Sequence, residues 1–184
     1  MNHHDMTRNM VLAALFAALT AIGAFLQIPT GTVPITLQFL FTALAGVLLG
    51  WKWGAVSQLL YVAIGLLGLP VFTQGGGIGY VLQPSFGFLL GLIPAAAVIG
   101  ALTARRTGYL TVLAAVLVGD LILYAVGVPY MYLILHVYMQ SAKTFPALLA
   151  AMLVYVPGDT LKIIVVTALA PVLRRTLVKA VPNL

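Results

Sequence analysis

Three observations predict an all-α integral membrane protein. Hydrophobic residues make up 62% of the 184-residue chain and charged residues only 7%, with a mean hydropathy of +1.13. A soluble domain carries roughly 25% charged residues because its surface must face water. Nine basic and three acidic residues cannot clothe a soluble globule of this size, so lipid is the expected solvent. The apolar residues also fall into runs close to the about 20 residues needed to cross a bilayer core of roughly 30 Å. Finally, the basic residues cluster between alternate runs. The reading is one membrane domain, 1–184, with six transmembrane helices and both termini cytoplasmic.

The elements follow in order. A tail, 1–8, precedes a first span from about Met10 to Ile28. The stretch MNHHDMTRNMVLAALFAAL has neither the short apolar region nor the cleavage site of a secretory leader, so the run reads as a retained helix. PTGTVP breaks it with two prolines and a glycine. A second span, about Ile35 to Gly50, ends at WKW, residues that favour the membrane–water interface. The third covers about Gly54 to Leu69. PVFTQGGGIGYVLQPS follows, long and without periodicity. The fourth span, about Phe86 to Ala104, stops at Arg105-Arg106, and the fifth, about Tyr109 to Val128, stops before Pro129. The last covers about Pro157 to Leu173 and stops at Arg174-Arg175. Between these two, Ala147 to Val156 is too short to cross and reads as a partly buried or re-entrant segment; Tyr130 to Tyr138 is a further short apolar piece.

With the N-terminus inside, alternation puts Arg8, Lys52, Arg105, Arg106, Arg174, Arg175 and Lys179 in the cytoplasm, as the positive-inside rule requires. The net charge of +6 is therefore topological, and a nucleic-acid footprint is not expected. The loops expected outside, near 29–34, 70–84 and 129–156, are the long, irregular ones, and loops carry function more often than scaffolds do.

Several chemistries are excluded by what is missing. There is no cysteine, so no disulfide or thiolate metal site. His3, His4 and His136 have no partner at metal-ligand spacing, and no HExxH or GxSxG occurs. GGGIG at Gly75 lacks the GK[ST] of a phosphate loop and precedes a membrane helix, so nucleotide binding is not expected. No catalytic residue, metal or cofactor is assigned, and no matched pair of broken helices indicates a complete secondary transporter.

The informative stretch is PGDTLKIIVV. The chain has only three acids, Asp5, Asp120 and Asp159, and one of them lies three residues from Lys162. Pro157 suits the first turn of a helix. Asp159 then falls in that turn, and Lys162 lies about 5 Å along the axis on the same face. One reading is a capping aspartate with a snorkelling lysine. The other is a polar pocket, because an ionisable residue in a span is by default a site candidate. Asp120, nearer mid-membrane, is a bundle-facing acid or part of a pocket floor. Ala13, Ala17 and Ala21 share one face of the first helix, beside Ala14 and Ala18. Gly46, Gly50 and Gly54 repeat the spacing. Such faces permit close helix approach, either inside the bundle or onto another membrane subunit.

VPITLQ, LAGVLLGWKWG, YVAIGLLGLPVF, GGGIGYVLQPSFGFLLG and PGDTLK, in that order, resemble the successive signatures of the BioY family. QPSFGF departs from the GPTGGY form of many members. BioY proteins are the biotin-specific substrate-binding components (S components) of energy-coupling factor (ECF) vitamin transporters. The resemblance implies an S-component-like bundle that captures biotin from outside. Its implied partners are a transmembrane coupling subunit and two ATP-binding subunits. It implies that Ala13, Ala14, Ala17, Ala18 and Ala21 form the docking surface, that the first loop is a lid, and that Asp159 and Lys162 hold biotin. A carboxylate at Asp159 can accept the ureido N–H groups and an ammonium at Lys162 can bind a ligand oxygen. Phe72, Tyr80 and Tyr124 are candidate apolar walls, and Gln38, Gln74 and Gln83 candidate amide partners. The alternatives are an S component for a different vitamin, or a small membrane-embedded enzyme using Asp159 and Lys162 as acid and base.

Overall fold

The structure, a computed structural model, describes residues 3–30 and 33–180, with side chains described for 5–30 and 33–177. Apolar composition and near-absence of charge leave the chain only one way to satisfy its backbone in lipid without closing a barrel, which is to form helices. Six α-helices result among the described residues: α1 (His3–Phe25), α2 (Gln38–Leu66), α3 (Phe86–Leu102), α4 (Tyr109–Leu133), α5 (Phe145–Ala151) and α6 (Val156–Ala180). Four of them (α1, α2, α6, and α4 with its continuation) are long and apolar enough to cross a membrane by length and composition.

One of these four does not run straight. Gly50 in α2 has φ 77° and ψ 179°, a conformation that only glycine adopts without strain. The chain folds back there. A Cβ on Gly54 would lie 3.0 Å from the Gly46 Cα, and the Gln38 amide donates to the Tyr61 hydroxyl at 2.8 Å. A straight helix would hold Gln38 and Tyr61 roughly 35 Å apart. The element is a helical hairpin with arms 38–49 and 51–66, which correspond to the second and third expected spans. With α1, α3, α4 and α6, the two arms make a bundle of six helical segments among the described residues. The tight turn explains the glycine spacing: Gly46 and Gly54 face each other, and Gly50 is the bend.

Boundaries differ from expectation in four places; one is the last span, where α6 runs on through Arg174 and Arg175 to Ala180, past the expected stop at Leu173. Helix α1 begins at His3, ahead of Met10. Residues 35–36 belong to a two-stranded antiparallel hairpin, β1 (Gln27–Ile28) with β2 (Ile35–Thr36), so α2 starts later than Ile35. Pro129 does not end the fifth span: α4 runs through it to Leu133 and continues as a π-helical turn, Ile134–Tyr138. Proline removes one hydrogen bond, which membrane helices tolerate where neighbouring helices and local π adjustment compensate. The Ala147–Val156 segment is short, as expected: α5 is followed by a 3₁₀ turn, Met152–Val154, before α6 begins.

Helices in lipid gain little from the hydrophobic effect between them, so van der Waals fit carries the association. Glycines supply it here. A Cβ on Gly100 would meet the Trp51 backbone nitrogen at 2.3 Å, one on Gly119 the Ile99 side chain at 2.4 Å, and one on Gly87 the Tyr130 Cβ at 2.3 Å. A buried polar cluster also joins α1 to both arms of α2. Gln58, fully buried, accepts from Thr42 at 2.9 Å and donates to Ser57 at 3.0 Å and to Thr20 at 3.3 Å.

The alanine stripe on α1 divides. Ala13 and Ala17 are buried at 1% and 4% exposure, Ala21 is half-buried, and Ala14 and Ala18 are exposed. Ala13 and Ala17 therefore pack inside the bundle and are not free to meet a partner, because α1 turns that edge towards its own neighbours. All described basic side chains except Lys143 and Lys162 lie at the end where α1 and α4 begin, α2 turns and α3 ends. Lys179 is outside the described side chains.

Gly46 tests the packing argument. A Cβ there would lie 2.7 Å from the Ala96 carbonyl oxygen and 3.1 Å from Ile99. Backbone cannot yield as a side-chain tip does, so Gly46→Val should cost about 1–3 kcal/mol. Its thermal midpoint in detergent should fall, while Gly79→Ala, with open space around it, should stay near the parent. Equal midpoints for both variants would remove glycine contact as the basis of the packing.

Candidate binding site

The site forms at the end opposite the basic cluster, where the irregular segments converge. Its anchor is the first turn of α6. Asp159 and Lys162 are buried, at 6% and 7% exposure, and the ammonium lies 2.5 Å from Asp159 Oδ1. The snorkelling-lysine reading does not hold, because the ammonium points inward and donates to the Thr36 carbonyl on β2 at 3.2 Å. The other carboxylate oxygen, Oδ2, accepts a short hydrogen bond from the Tyr124 hydroxyl of α4. Both charges are thus taken from lipid into a network that spans α4, α6 and the first loop. Removing one partner of a buried pair typically costs 3–5 kcal/mol, because the other is left uncompensated.

This network is one wall of a cavity of about 600 Å³, including its open mouth. Its lining is of the kind found in small-molecule sites, apolar with a few placed polar groups. Leu89, Leu92 and Phe88 from α3 and Leu123 from α4 supply the apolar floor. Tyr124 stands edge-on to Phe88, with ring centroids 5.9 Å apart. Val33 to Thr36 and Met152 with Tyr155 close the outer side. The Tyr155 hydroxyl bonds the Val33 carbonyl and lies 3.0 Å from the Thr30 hydroxyl, which itself donates to Val33 at 2.5 Å. The first loop is therefore fastened over the cavity from the α6 side. The Gln27 amide fastens it to the second long loop through the Thr73 carbonyl at 3.3 Å.

Five of the eight residues expected to bind substrate line this cavity: Asp159, Lys162, Gln38, Tyr80 and Tyr124. Gln38 has a dual role, since its amide donates to Tyr61 while its oxygen accepts from Thr36 at 2.9 Å. The Tyr80 hydroxyl is shared with Thr73 at 2.9 Å and Ser85 at 3.4 Å. Phe72, Gln74 and Gln83 do not line it. Phe72 is fully buried beneath the site, its ring tilted against Tyr80 with centroids 4.6 Å apart and seated where a Gly65 side chain would be. Gln74 and Gln83 are exposed on the long loop. Thr36, Thr73, Ser85, Phe88, Met152 and Tyr155 were not expected. The polar ones occur in loops with no periodicity to give their direction, and Tyr155 lies in the segment too short to be a span. Asp120 sits one turn before Tyr124 on α4. It is half-buried, does not line the cavity, and its Oδ1 has no hydrogen-bond partner among the described residues. The described residues include no group of three or more His, Cys, Asp or Glu side chains fit for a metal.

The sequence model of the BioY family matches residues 1–179. The chain belongs to the BioY family. It is 53% identical over 141 residues to a probable biotin transporter BioY from Lysinibacillus sphaericus, covering 76% of this chain and 72% of that protein. It is 35% identical to the biotin transporter BioY of Thermotoga maritima, over 89% and 94% of the two chains. Among solved structures it resembles the S-component for biotin from an ECF-type ABC transporter, with a TM-score of 0.83, 30% identity and 95% of each chain covered. The all-α fold is shared with that S-component, and the family and the apolar helices make this chain a multi-pass membrane protein. Membership places the chain among transporter components and not among membrane-embedded enzymes.

Proposed function

We infer that this chain is the biotin-binding S component of an ECF-type importer, taking biotin at the cavity between α3, α4 and α6. The observation that carries this reading is the inward-facing Asp159–Lys162 pair at a largely apolar cavity, in a chain of this family. The relatives named above are described as biotin transporters, which favours biotin over another vitamin. The chemistry fits: a ureido ring offers two N–H donors and a carbonyl, the pair offers an acceptor and a cation, and the fused rings need the leucine and phenylalanine floor. The pair is neutral overall, so it suits a neutral polar ring. Its proposed source of energy is partner subunits, a transmembrane coupling subunit and two ATP-binding subunits, as the ECF-type context of the similar S-component supports. The exposed half of the α1 stripe, Ala14 and Ala18, is the proposed contact with the coupling subunit. The basic end is proposed to be cytoplasmic, which leaves the site end and its loops facing outside.

A biotin titration tests the site. Asp159→Asn keeps the shape but replaces a charged acceptor by a neutral one. Hydrogen bonds to charged groups are worth roughly 1.5–3 kcal/mol against about 1 for neutral ones, so affinity should fall on the order of tenfold or more. Lys162→Met should weaken binding as well, and the double variant should lose less than the sum, since both act in one network. Thermal melting runs in parallel, and thiamine and riboflavin serve as other ligands. An intact Asp159→Asn chain with parental affinity would move the site elsewhere.

Orientation is read by labelling in intact cells. Gln74→Cys, exposed at the site end, should react with an impermeant thiol reagent, and Gly108→Cys at the basic end should not. The reverse pattern would invert the topology.

For docking, Ala18→Trp should abolish uptake but keep biotin binding, because volume is added on the outer face only. Ala17→Trp, whose parent side chain is buried, should damage the fold and lose both. If Ala18→Trp transports normally, this face is not the contact.

A further inference from the structure

A second cavity lies at the opposite end of the bundle and belongs to no part of the site above. It measures about 550 Å³ including its mouth. The α2 hairpin turn, the end of α3 and the last turns of α6 enclose it. The walls are rigid, because Gly100 touches the backbone of Trp51 too closely to admit even a methyl group. Leu48, Leu49 and Leu177 make it apolar, and Trp51 stands beside it, 60% exposed.

One charge enters this greasy space. Arg174 is half-buried, and its guanidinium donates to the Thr103 carbonyl at 2.7 Å and to the Ala104 carbonyl at 3.4 Å. These bonds cap the end of α3 and fix the direction of the fork. A guanidinium has five N–H donors, so capping leaves others free for an anion. Among the described residues no carboxylate lines the cavity. The three acids of the chain are placed elsewhere: Asp5 pairs with Arg8 at 3.3 Å, Asp159 with Lys162, and Asp120 is midway along α4. Lys52 adjoins Trp51, Arg105 adjoins Ala104, and Arg175 adjoins Arg174 in the chain, so the field at the mouth is positive.

We propose that this cavity binds the phosphodiester headgroup of an anionic phospholipid, with Arg174 as the phosphate ligand and the leucines against the glycerol and upper acyl chain. The occupant must be an amphiphile, since the cavity joins a fixed cation to apolar walls at the depth where an interfacial tryptophan sits. An anionic lipid satisfies both and also meets the positive rim; basic pockets between membrane helices are suited to such headgroups. A guanidinium matches a phosphate by paired hydrogen bonds better than an ammonium does.

Native mass spectrometry of the full chain from detergent reads the outcome. Dioleoyl phosphatidylglycerol, dioleoyl phosphatidylcholine and inorganic phosphate are titrated separately. Phosphatidylglycerol should bind at least about tenfold more tightly than the other two. Arg174→Gln should lose that preference. Because Arg174 also caps α3, a second variant separates the roles: Ala104→Trp fills the cavity and keeps the arginine, and it should lose the lipid at an unchanged melting temperature. Equal binding of both lipids would overturn the proposal, as would unaltered phosphatidylglycerol binding in Ala104→Trp. Inorganic phosphate binding as tightly as the lipid would make it a plain anion site and overturn it too. No lipid retention in the parent, together with failed uptake in Ala104→Trp, would assign the cavity to a protein partner instead.

Discussion

The buried ion pair at the start of α6 is the constraint on which the site end depends. Two ionised groups near lipid are tolerable only if each finds further partners. Asp159 needs the hydroxyl of Tyr124, and Lys162 needs the carbonyl of Thr36. Those partners come from α4 and from the loop before α2. Satisfying the pair therefore brings three distant parts of the chain to one place, and the space between them is the cavity. The first loop closes over it because its own carbonyls are used up: Thr36 by Lys162, and Val33 by Tyr155 and Thr30. The ion pair and the first loop thus share one set of hydrogen bonds, through Lys162 and the Thr36 carbonyl.

The rest of the bundle supplies stiffness to that arrangement. The α2 hairpin packs glycine against glycine, and α3 lies close to both neighbours through Gly87, Gly91 and Gly100. Such contacts leave no slack, so the leucine floor contributed by α3 is held in register with Tyr124 on α4. Beneath the site, Phe72 fills the space left by Gly65 and supports Tyr80. Phe72 thus shapes the cavity without touching it. An aromatic residue in a loop reads in sequence as a candidate wall, and only the missing side chain at Gly65 shows where the ring goes.

Much of this is legible in the amino-acid order alone. Composition implies lipid as solvent, run lengths imply the spans, and the scarcity of acids makes Asp159 and Lys162 conspicuous. Helical spacing places them on one face, which the 2.5 Å contact agrees with. What stays hidden has a common physical origin. Span boundaries depend on hydrogen bonds made across the chain, such as the β1–β2 pairing that takes Ile35 and Thr36 away from a helix. Pro129 ends a helix by local rules but not where the membrane context compensates for the lost bond. The glutamines are equivalent in sequence, yet Gln38 sits on a helix that faces inward, whereas Gln74 and Gln83 sit on a loop whose direction no periodicity fixes. The alanine stripe is ambiguous because small residues serve internal and external contacts alike. Exposure alone separates Ala17 from Ala18.

The two ends of the molecule follow opposite electrostatic rules, and this asymmetry bears on how it can work. At the site end, the Asp159–Lys162 pair is buried and its charges cancel within the chain. At the other end, Lys52, Arg105, Arg106 and Arg175 stand as a positive field, the one described acid there, Asp5, pairs with Arg8 at 3.3 Å, and the partly buried Arg174 donates to the backbone carbonyls of Thr103 and Ala104. A neutralised site can release an uncharged ring without separating net charge in a low-dielectric setting, where such separation is expensive. An unneutralised end must find its counter-charge outside, in lipid headgroups or in partner subunits. The same helices, α3 and α6, reach both ends: Gly100 and Arg174 line the basic cavity, while Leu89, Leu92 and the Asp159–Lys162 pair line the other.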